Sequence, residues 1–172
     1  MRKPRQEPPP RIIWPIPDTV LLAASGLWWQ AFRPPLALRL PACRAGHGIV
    51  ALDACDRVLG VVGLRDGEGG FPVVTPLAAR LAFRAAPATD DLVIDGIVVS
   101  AAGRGIGRAL MAAAQDRAAQ GGHPGLRVEV GARNRAARDF YRRIGFVEIG
   151  RGRFGWPLSP PVVLMRRGPG AG

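Results

Sequence analysis

The sequence predicts one α/β (α+β) domain in which helices flank a central β-sheet. Its length of 172 residues suits a single domain, because domains commonly contain about 100 to 200 residues. Hydrophobic residues make up 48% of the chain and charged residues 22%, which is ordinary globular usage and provides for a packed core. Short runs rich in β-branched residues alternate with segments of helical periodicity, and this alternation indicates the mixed fold class.

The first 17 residues contain six prolines and four basic residues. Because proline lacks an amide proton and has a fixed backbone angle, this composition favours an extended, flexible tail over a packed element. We therefore expect the folded domain to span residues 18–167, with a second short tail at residues 168–172.

Residues 19–32 form an apolar stretch that predicts a first helix, with Asp18 or Thr19 as its N-cap. The stretch is 14 residues long, whereas a membrane-spanning helix needs about 20. We therefore expect a buried helix and no membrane crossing. Two prolines follow it, and a weaker helical segment is predicted to end near Cys43.

The middle of the chain has the composition of strands. Residues 48–53 and 58–64 are short runs rich in β-branched residues, separated by polar residues, and they predict an antiparallel hairpin. A turn is predicted over residues 65–70. Residues 76–86 carry apolar side chains at about one helical turn's spacing and predict a helix that ends at Pro87.

Strands and helices alternate regularly after residue 91. Gly96 interrupts the first of these strands, which indicates a β-bulge or the close approach of another group. Asn134 suits the N-cap of the last helix, and Gly145 suits its C-terminal end. The predicted strands cover residues 92–99, 126–130, 146–149 and 162–165, and the predicted helices run from the turn at 103–107 to about Gln120 and from Asn134 to Ile144.

The glycine-rich turn at residues 103–107, Gly-Arg-Gly-Ile-Gly, joins a strand to a helix and predicts an anion site. Glycines let successive N–H groups converge, and the helix N-terminus adds about half a positive charge, so phosphate is the natural occupant. A Walker loop is excluded because no Gly-Lys-Ser/Thr ends the turn. A Rossmann loop would need a small residue where Arg108 or Leu110 stands.

Two motifs follow one another in this half of the chain. The first is Arg104-x-x-Gly107-x-Ala109, and the second is Asn134-x-x-Ala137-x-x-x-Tyr141-x-x-x-Gly145-Phe146. With these motifs in order, the sequence resembles the GNAT superfamily of N-acetyltransferases, whose pyrophosphate loop and later helix carry the two patterns. The resemblance covers residues 91–150 closely and residues 18–90 loosely.

The resemblance implies a mixed, mostly antiparallel sheet in which one parallel pair, strands 92–99 and 126–130, splays apart at a cleft for acetyl-CoA. It also implies that groups on the strand, the glycine turn and the last helix bind this cofactor. The cofactor-binding candidates are Ile97, Val98, Val99, Gly103, Arg104, Gly105, Ile106, Gly107, Arg108, Ala109 and Asn134. Whether Arg104 or Arg108 contacts the pyrophosphate depends on how the glycines are aligned, and both remain candidates.

The implied reaction is the direct attack of an amine on the thioester carbon of acetyl-CoA. Tyr141, the only tyrosine, matches the family's general acid, which protonates the departing thiolate. A core aromatic is the alternative for this position. Asp95 is the candidate base for the amine, with Glu129 on the neighbouring strand as the second candidate. Strand carboxylates are also commonly solvated or ion-paired, and no base is needed if the amine arrives neutral.

The expected acceptor is an amine of either a small molecule or a peptide. Aromatic residues of the first helix and of the loop at residues 150–161 could form an apolar wall for it, or belong to the core. They are Trp28, Trp29, Phe32, Phe154 and Trp156. A homodimer is compatible with the sequence.

The chain is strongly basic, with 24 Lys and Arg against 13 Asp and Glu and a net charge of +11. This charge predicts an anionic partner, yet Lys3 is the only lysine, and a base-composition bias of the genome would produce the same excess of arginine. The arginines are scattered instead of clustered, which disfavours nucleic acid. A catalytically idle acyl-CoA-binding or basic nucleic-acid-binding domain on the same fold is the alternative function.

The chain contains two cysteines, Cys43 and Cys55. They are too few for a disulfide framework, a zinc finger or an iron–sulfur cluster, and no metal site is expected. This cysteine usage predicts a cytoplasmic protein in a reducing environment.

Overall fold

The computed structural model describes residues 8–33, 39–73, 84–100, 104–155 and 160–169. Within these ranges the chain forms eight strands, three α-helices and one short 3-10 helix at Ala45–His47. The strands are β1 (Arg11–Ile13), β2 (Gly48–Leu52), β3 (Val58–Asp66), β4 (Gly69–Gly70), β5 (Leu92–Val99), β6 (Leu126–Gly131), β7 (Val147–Gly152) and β8 (Val162–Arg167). The helices are α1 (Asp18–Phe32), α2 (Ile106–Gln120) and α3 (Arg135–Arg143). Of the helix predicted over residues 76–86, residues 76–83 lie outside the described residues, and residues 84–86 are described and are not helical.

The described strands belong to one sheet with the order β1-β2-β3-β5-β6-β8-β7, and β4 pairs with β3. Neighbouring strands in this sheet are antiparallel except β5 and β6, which run parallel. The predicted fold class is confirmed: a mixed, mostly antiparallel sheet flanked by helices.

Helices pack on both faces of the sheet because the central strands are apolar on both sides. Ile49 and Val62 belong to the core cluster that includes α2, whereas their chain neighbours Val50 and Val61 belong to the cluster that includes α1. The buried side chains of α2 lie at helical spacing on one face. They are Ile106, Leu110, Met111, Ala114 and Ala118.

The prediction of a tail over residues 1–17 is wrong for its second half. Arg11–Ile13 is a strand that pairs antiparallel with β2, and Ile16 is only 2% exposed. The prolines stand outside the three-residue strand, where their missing amide protons break no ladder bond. Ile12 and Ile13 then point to opposite faces and pack against the two core clusters.

Three smaller boundaries also differ from prediction. Pro17 is the N-cap residue of α1 and makes no side-chain capping bond, so the predicted N-cap at Asp18 or Thr19 is wrong. The predicted turn at residues 65–70 is shorter, because β3 continues to Asp66 and pairs with β4. Of the weaker helical segment, the described residues before Cys43 are not helical.

Candidate active site

The parallel strands β5 and β6 separate halfway along their length. Among the described residues their pairing runs from Leu92↔Leu126 to Ile94↔Val128 and stops there. Beyond this point β5 stays paired with β3, and β6 stays paired with β8. The facing edges of the two strands therefore open into a cleft, as the resemblance implied.

The cleft has a volume of about 550 Å³ and lies between β5, β6, the end of α1, the beginning of α2 and the helix α3. Six residues predicted to act in the site line it: Asp95, Ile97, Val99, Gly107, Asn134 and Tyr141. Glu129 and Phe32 lie in the same wall. The side chain of Val98 instead packs against the core cluster that includes α1, so Val98 can reach the cleft only through its backbone.

The predicted irregularity in β5 is a bulge at Asp95. Gly63 pairs with Gly96 and Leu64 pairs with Ile94, so Asp95 is the extra residue of the strand. The next residue must be a glycine, because the backbone of Gly96 lies against the ring of Phe32. A Cβ atom there would lie 2.6 Å from Cε2 of Phe32, and the Gly96 carbonyl accepts a 3.3 Å hydrogen bond from Nε1 of Trp28.

The first turn of α2 presents backbone amides to the cleft. Gly105 precedes the helix with a left-handed φ of 73°, and the first helical bond runs from the amide of Ala109 to the Gly105 carbonyl. The amides of residues 106–108 have no acceptor inside the helix, because every α-helix leaves its first amides free. Ile106 is 2% exposed and anchors this turn in the core. The turn can therefore hold an anion.

Arg104, Arg108 and Gly103 are the three remaining cofactor-binding candidates of the glycine turn, and the structure describes the first two. Arg104 and Arg108 are both exposed, and they lie on either side of the first residues of α2. Gly103 lies outside the described residues.

Asn134 has the capping role that the sequence predicts. Its Oδ1 accepts a 3.1 Å hydrogen bond from the amide of Ala137 and closes the N-terminus of α3. The same side chain lines the cleft, where its Nδ2 group can donate a hydrogen bond. Helix capping and ligand contact are therefore compatible at this position.

Tyr141 is both a core aromatic and a residue of the cleft wall. It is 3% exposed, and its ring packs edge-on against Phe140 and Phe146, with centroids 5.3 and 5.2 Å away. Burial raises the pKa of the Tyr141 phenol above its ordinary value, because a buried phenolate would lose its hydration. The phenol therefore stays protonated at neutral pH and can act as a proton donor.

The two candidate bases are held by arginines. Nε of Arg65 donates to Oδ1 of Asp95 at 2.7 Å, and Nη2 of Arg65 donates to Oε1 of Glu129 at 3.0 Å. Nη2 of Arg127 donates to the same Glu129 oxygen at 3.3 Å. Burial raises the pKa of Asp95, and the neighbouring Arg65 guanidinium opposes this effect.

The sequence did not indicate Arg65, which fell inside a predicted turn. The two hydrogen bonds from Arg65 to Asp95 and Glu129, called here the Arg65 bridge, require that β3, β5 and β6 are neighbours in the sheet. This strand order follows from tertiary pairing. A charged residue continuing an apolar strand was the one available signal.

Within the described ranges, no group of three or more His, Cys, Asp or Glu side chains is arranged as a metal site. The helices of the described residues are also too short or too polar to cross a membrane.

One cleft is therefore surrounded by a splayed pair of parallel strands, by free amides at the start of a helix that follows a glycine, and by a buried tyrosine. These features define the class of protein as an acyltransferase of the N-acetyltransferase fold. The model of the acetyltransferase (GNAT) family matches residues 14–146, and the chain belongs to this family. It is accordingly an acetyl-CoA-dependent N-acyltransferase. The resemblance stated from the two motifs is confirmed.

Solved structures share this fold at low identity. A GCN5-related N-acetyltransferase from Kribbella flavida is 20% identical, with a TM-score of 0.66 over 93% of this chain and 98% of that one. The ribosomal-protein-S18-alanine N-acetyltransferase from Escherichia coli is 19% identical, with a TM-score of 0.61 over 93% and 94%.

A third structure contains the cofactor. It is a streptothricin acetyltransferase homologue from Bacillus anthracis in complex with acetyl coenzyme A, 20% identical, with a TM-score of 0.50. The match covers 70% of this chain and 61% of the Bacillus anthracis chain. This chain therefore spans less than two thirds of the length of that relative. No curated protein matches the chain significantly.

Proposed function

We propose that the protein transfers the acetyl group of acetyl-CoA to the amine of a small-molecule or peptide acceptor inside the β5–β6 cleft. One observation carries the proposal. Free amides at the start of α2, the buried phenol of Tyr141 and the carboxylates of Asp95 and Glu129 surround the same cleft.

The donor side of the cleft fits acetyl-CoA, which supplies an activated acetyl thioester when bound. The amides of residues 106–108 suit its pyrophosphate, because amides at a helix N-terminus favour anions. The exposed Arg104 and Arg108 stand beside them for further phosphate contacts. The unpaired edge of β5 from Ile97 to Val99 suits an extended arm that contains amides, since strand edges bind such chains through backbone hydrogen bonds.

Tyr141 is the proposed general acid. Its phenol is neutral at physiological pH because burial disfavours the phenolate, so it can donate a proton to the leaving thiolate. The rings of Phe140 and Phe146 fix its orientation, which reduces the entropy lost in reaching a productive geometry.

Asp95 is the proposed base, with Glu129 as the second candidate. Either carboxylate can accept the proton of the acceptor ammonium directly or through one water molecule, because both line the cleft. The raised pKa of Asp95 makes it a stronger base than an ordinary carboxylate, which suits proton transfer nearer neutral pH.

The acceptor class rests on the cleft and on the fold relatives. Phe32 is 40% exposed and presents an apolar edge next to the carboxylates. Solved relatives include a nourseothricin acetyltransferase and the S18-alanine enzyme, whose names indicate a small molecule and a protein as acceptors. Both acceptor classes are therefore proposed for testing. The homodimer and the cytoplasmic location stay predictions, the latter supported by two free cysteines.

The test is CoA thiol release from acetyl-CoA with three amines: streptothricin, an alanine-initiated peptide and spermidine. We expect amine-dependent release with at least one, and its loss by about 10²-fold in Tyr141→Phe. Binding of acetyl-CoA without release with any amine would contradict transfer and support an idle acyl-CoA-binding domain. Salt-sensitive binding of DNA or RNA without acetyl-CoA binding would support a nucleic-acid-binding domain.

A further inference from the structure

We propose that Arg65 is the positioning residue of the acceptor side of the cleft, where it holds Asp95 and Glu129 next to each other with one guanidinium. This inference rests on the proposed acetyl transfer. It adds a residue that does not line the cleft and that acts through the two carboxylates.

The sheet register brings Arg65 within reach of both partners. Arg65 pairs with Val93 across β3 and β5, and Val93 pairs with Arg127 across β5 and β6. The three side chains therefore project from the same face of the sheet, in a row across the strands. Asp95 and Glu129 each lie two residues further along their strands, on that same face toward the cleft.

Arg65 and Arg127 bind only one oxygen of each carboxylate. Arg65 binds Oδ1 of Asp95 and Oε1 of Glu129, and Arg127 binds that same Oε1. Neither arginine bonds to Oδ2 of Asp95 or Oε2 of Glu129, so the second oxygen of each carboxylate takes no part in these ion pairs. Gly70 on β4 leaves room for this carboxylate, because a Cβ there would lie 2.6 Å from Oδ2 of Asp95.

Arginine suits this task better than lysine. Its planar guanidinium donates in fixed, divergent directions, and here Nε and Nη2 serve different carboxylates at 2.7 and 3.0 Å. A lysine ammonium at the end of a flexible chain can neutralise one partner but has no fixed geometry to hold two.

Arg65 also controls the charge of Asp95. Among the residues that the structure describes, the charged groups that face this carboxylate are Arg65 on β3, Glu129 on β6 and His47 before β2, with Arg127 attached to Glu129. Burial and Glu129 favour protonated Asp95, whereas Arg65 and His47 favour the carboxylate. Removal of Arg65 therefore raises the pH at which Asp95 ionises.

The test compares Arg65→Gln, Arg65→Lys and the control Arg57→Gln, whose arginine pairs with Asp53 on the surface. For the amine that supports transfer, we expect Arg65→Gln to lower kcat/KM at least tenfold and to move the acidic limb of its pH profile up by about one pH unit. Arg65→Lys should recover part of the rate, and Arg57→Gln should match the wild type.

A double-mutant cycle separates positioning from a merely structural role. In an Asp95→Asn, Glu129→Gln background, Arg65→Gln should change the acceptor kinetics less than twofold, because its partners are already neutral. Acetyl-CoA affinity, measured by calorimetry, should stay within threefold of the wild type. An equal loss of kcat/KM in both backgrounds, or an unmoved acidic limb, would overturn the proposal while leaving acetyl transfer intact.

Failure of the proposed function is distinguishable from this outcome. If the wild type binds acetyl-CoA but transfers the acetyl group to none of the three amines, the proposed acetyl transfer is wrong. The proposed positioning role of Arg65 is then wrong as well. If the wild type transfers and the Arg65 variants behave like the wild type, the positioning role alone is wrong.

Discussion

The ring of Phe32, at the end of α1, lies against the backbone of Gly96 so closely that no side chain fits between them. A Cβ atom on Gly96 would be 2.6 Å from Cε2 and 2.8 Å from Cζ of the ring. The first helix is thereby seated on the bulged strand at the place where the cleft begins. Trp28, one turn earlier, strengthens the contact through its bond to the Gly96 carbonyl.

Gly96→Ala should therefore destabilise the fold by about 1 to 3 kcal/mol, because the added methyl group overpacks this contact. Chemical denaturation measures the loss. Phe32→Ala in the same chain should restore part of it by removing the ring. Gly26→Ala, in the middle of α1 with open space around it, is the control and should stabilise by about 1 kcal/mol. Equal stability of Gly96→Ala and the wild type would contradict this contact.

Asn134 allows its two roles to be separated. Asn134→Ala should lower the free energy of unfolding by about 1 kcal/mol, because the amide of Ala137 loses its capping acceptor. Asn134→Asp keeps an acceptor oxygen and should retain stability, but it removes the Nδ2 donor facing the cleft. We expect the aspartate variant to bind acetyl-CoA more weakly in calorimetry while unfolding at the same denaturant concentration as the wild type. Unchanged affinity would limit Asn134 to capping.

Asp91 forms a structural ion pair away from the cleft. It is 5% exposed and receives two hydrogen bonds from Arg166, at 2.8 and 2.9 Å. Asp91→Ala should cost about 2 to 3 kcal/mol, because it breaks a charge-assisted pair and leaves the guanidinium with only the Pro124 carbonyl, among the described residues, as a hydrogen-bond acceptor. Urea denaturation checks the cost, and acetyl-CoA affinity should not change. A loss of affinity at full stability would show that Asp91 takes part in the site.

Tyr141→Phe tests the general acid with little structural disturbance. The phenyl ring keeps its contacts with Phe140 and Phe146, so the melting temperature should shift by only a few degrees. Because burial raises the pKa of the phenol, wild-type kcat should show no alkaline loss from Tyr141 below about pH 10. The variant should keep its acetyl-CoA affinity and lose kcat. An unchanged kcat would rule out the proton transfer.

The second half of the molecule was predictable because its signals are local. Gly105 and Asn134 begin their helices through their own backbone and side-chain chemistry, and the strand between the helices alternates apolar and charged residues. These features define the cleft wall without knowledge of the rest of the chain.

The Arg65 bridge and strand β1 were not predictable in this way. The bridge requires three strands in the order β3-β5-β6, which side-chain patterns do not specify. β1 is only three residues long, and its proline-rich surroundings masked the alternation of Ile12 and Ile13. In both cases tertiary pairing overrides the local composition.

Calorimetric titration of acetyl-CoA tests the central claim most directly. Gly107→Glu places a carboxylate among the amides at the start of α2, and Gln120→Glu places the same charge at the other end of the helix as the control. We predict that the wild type and Gln120→Glu bind with similar affinity and that Gly107→Glu binds at least about 100-fold more weakly, since like charges repel the pyrophosphate. Equal affinity of all three proteins would contradict the placement of acetyl-CoA in this cleft.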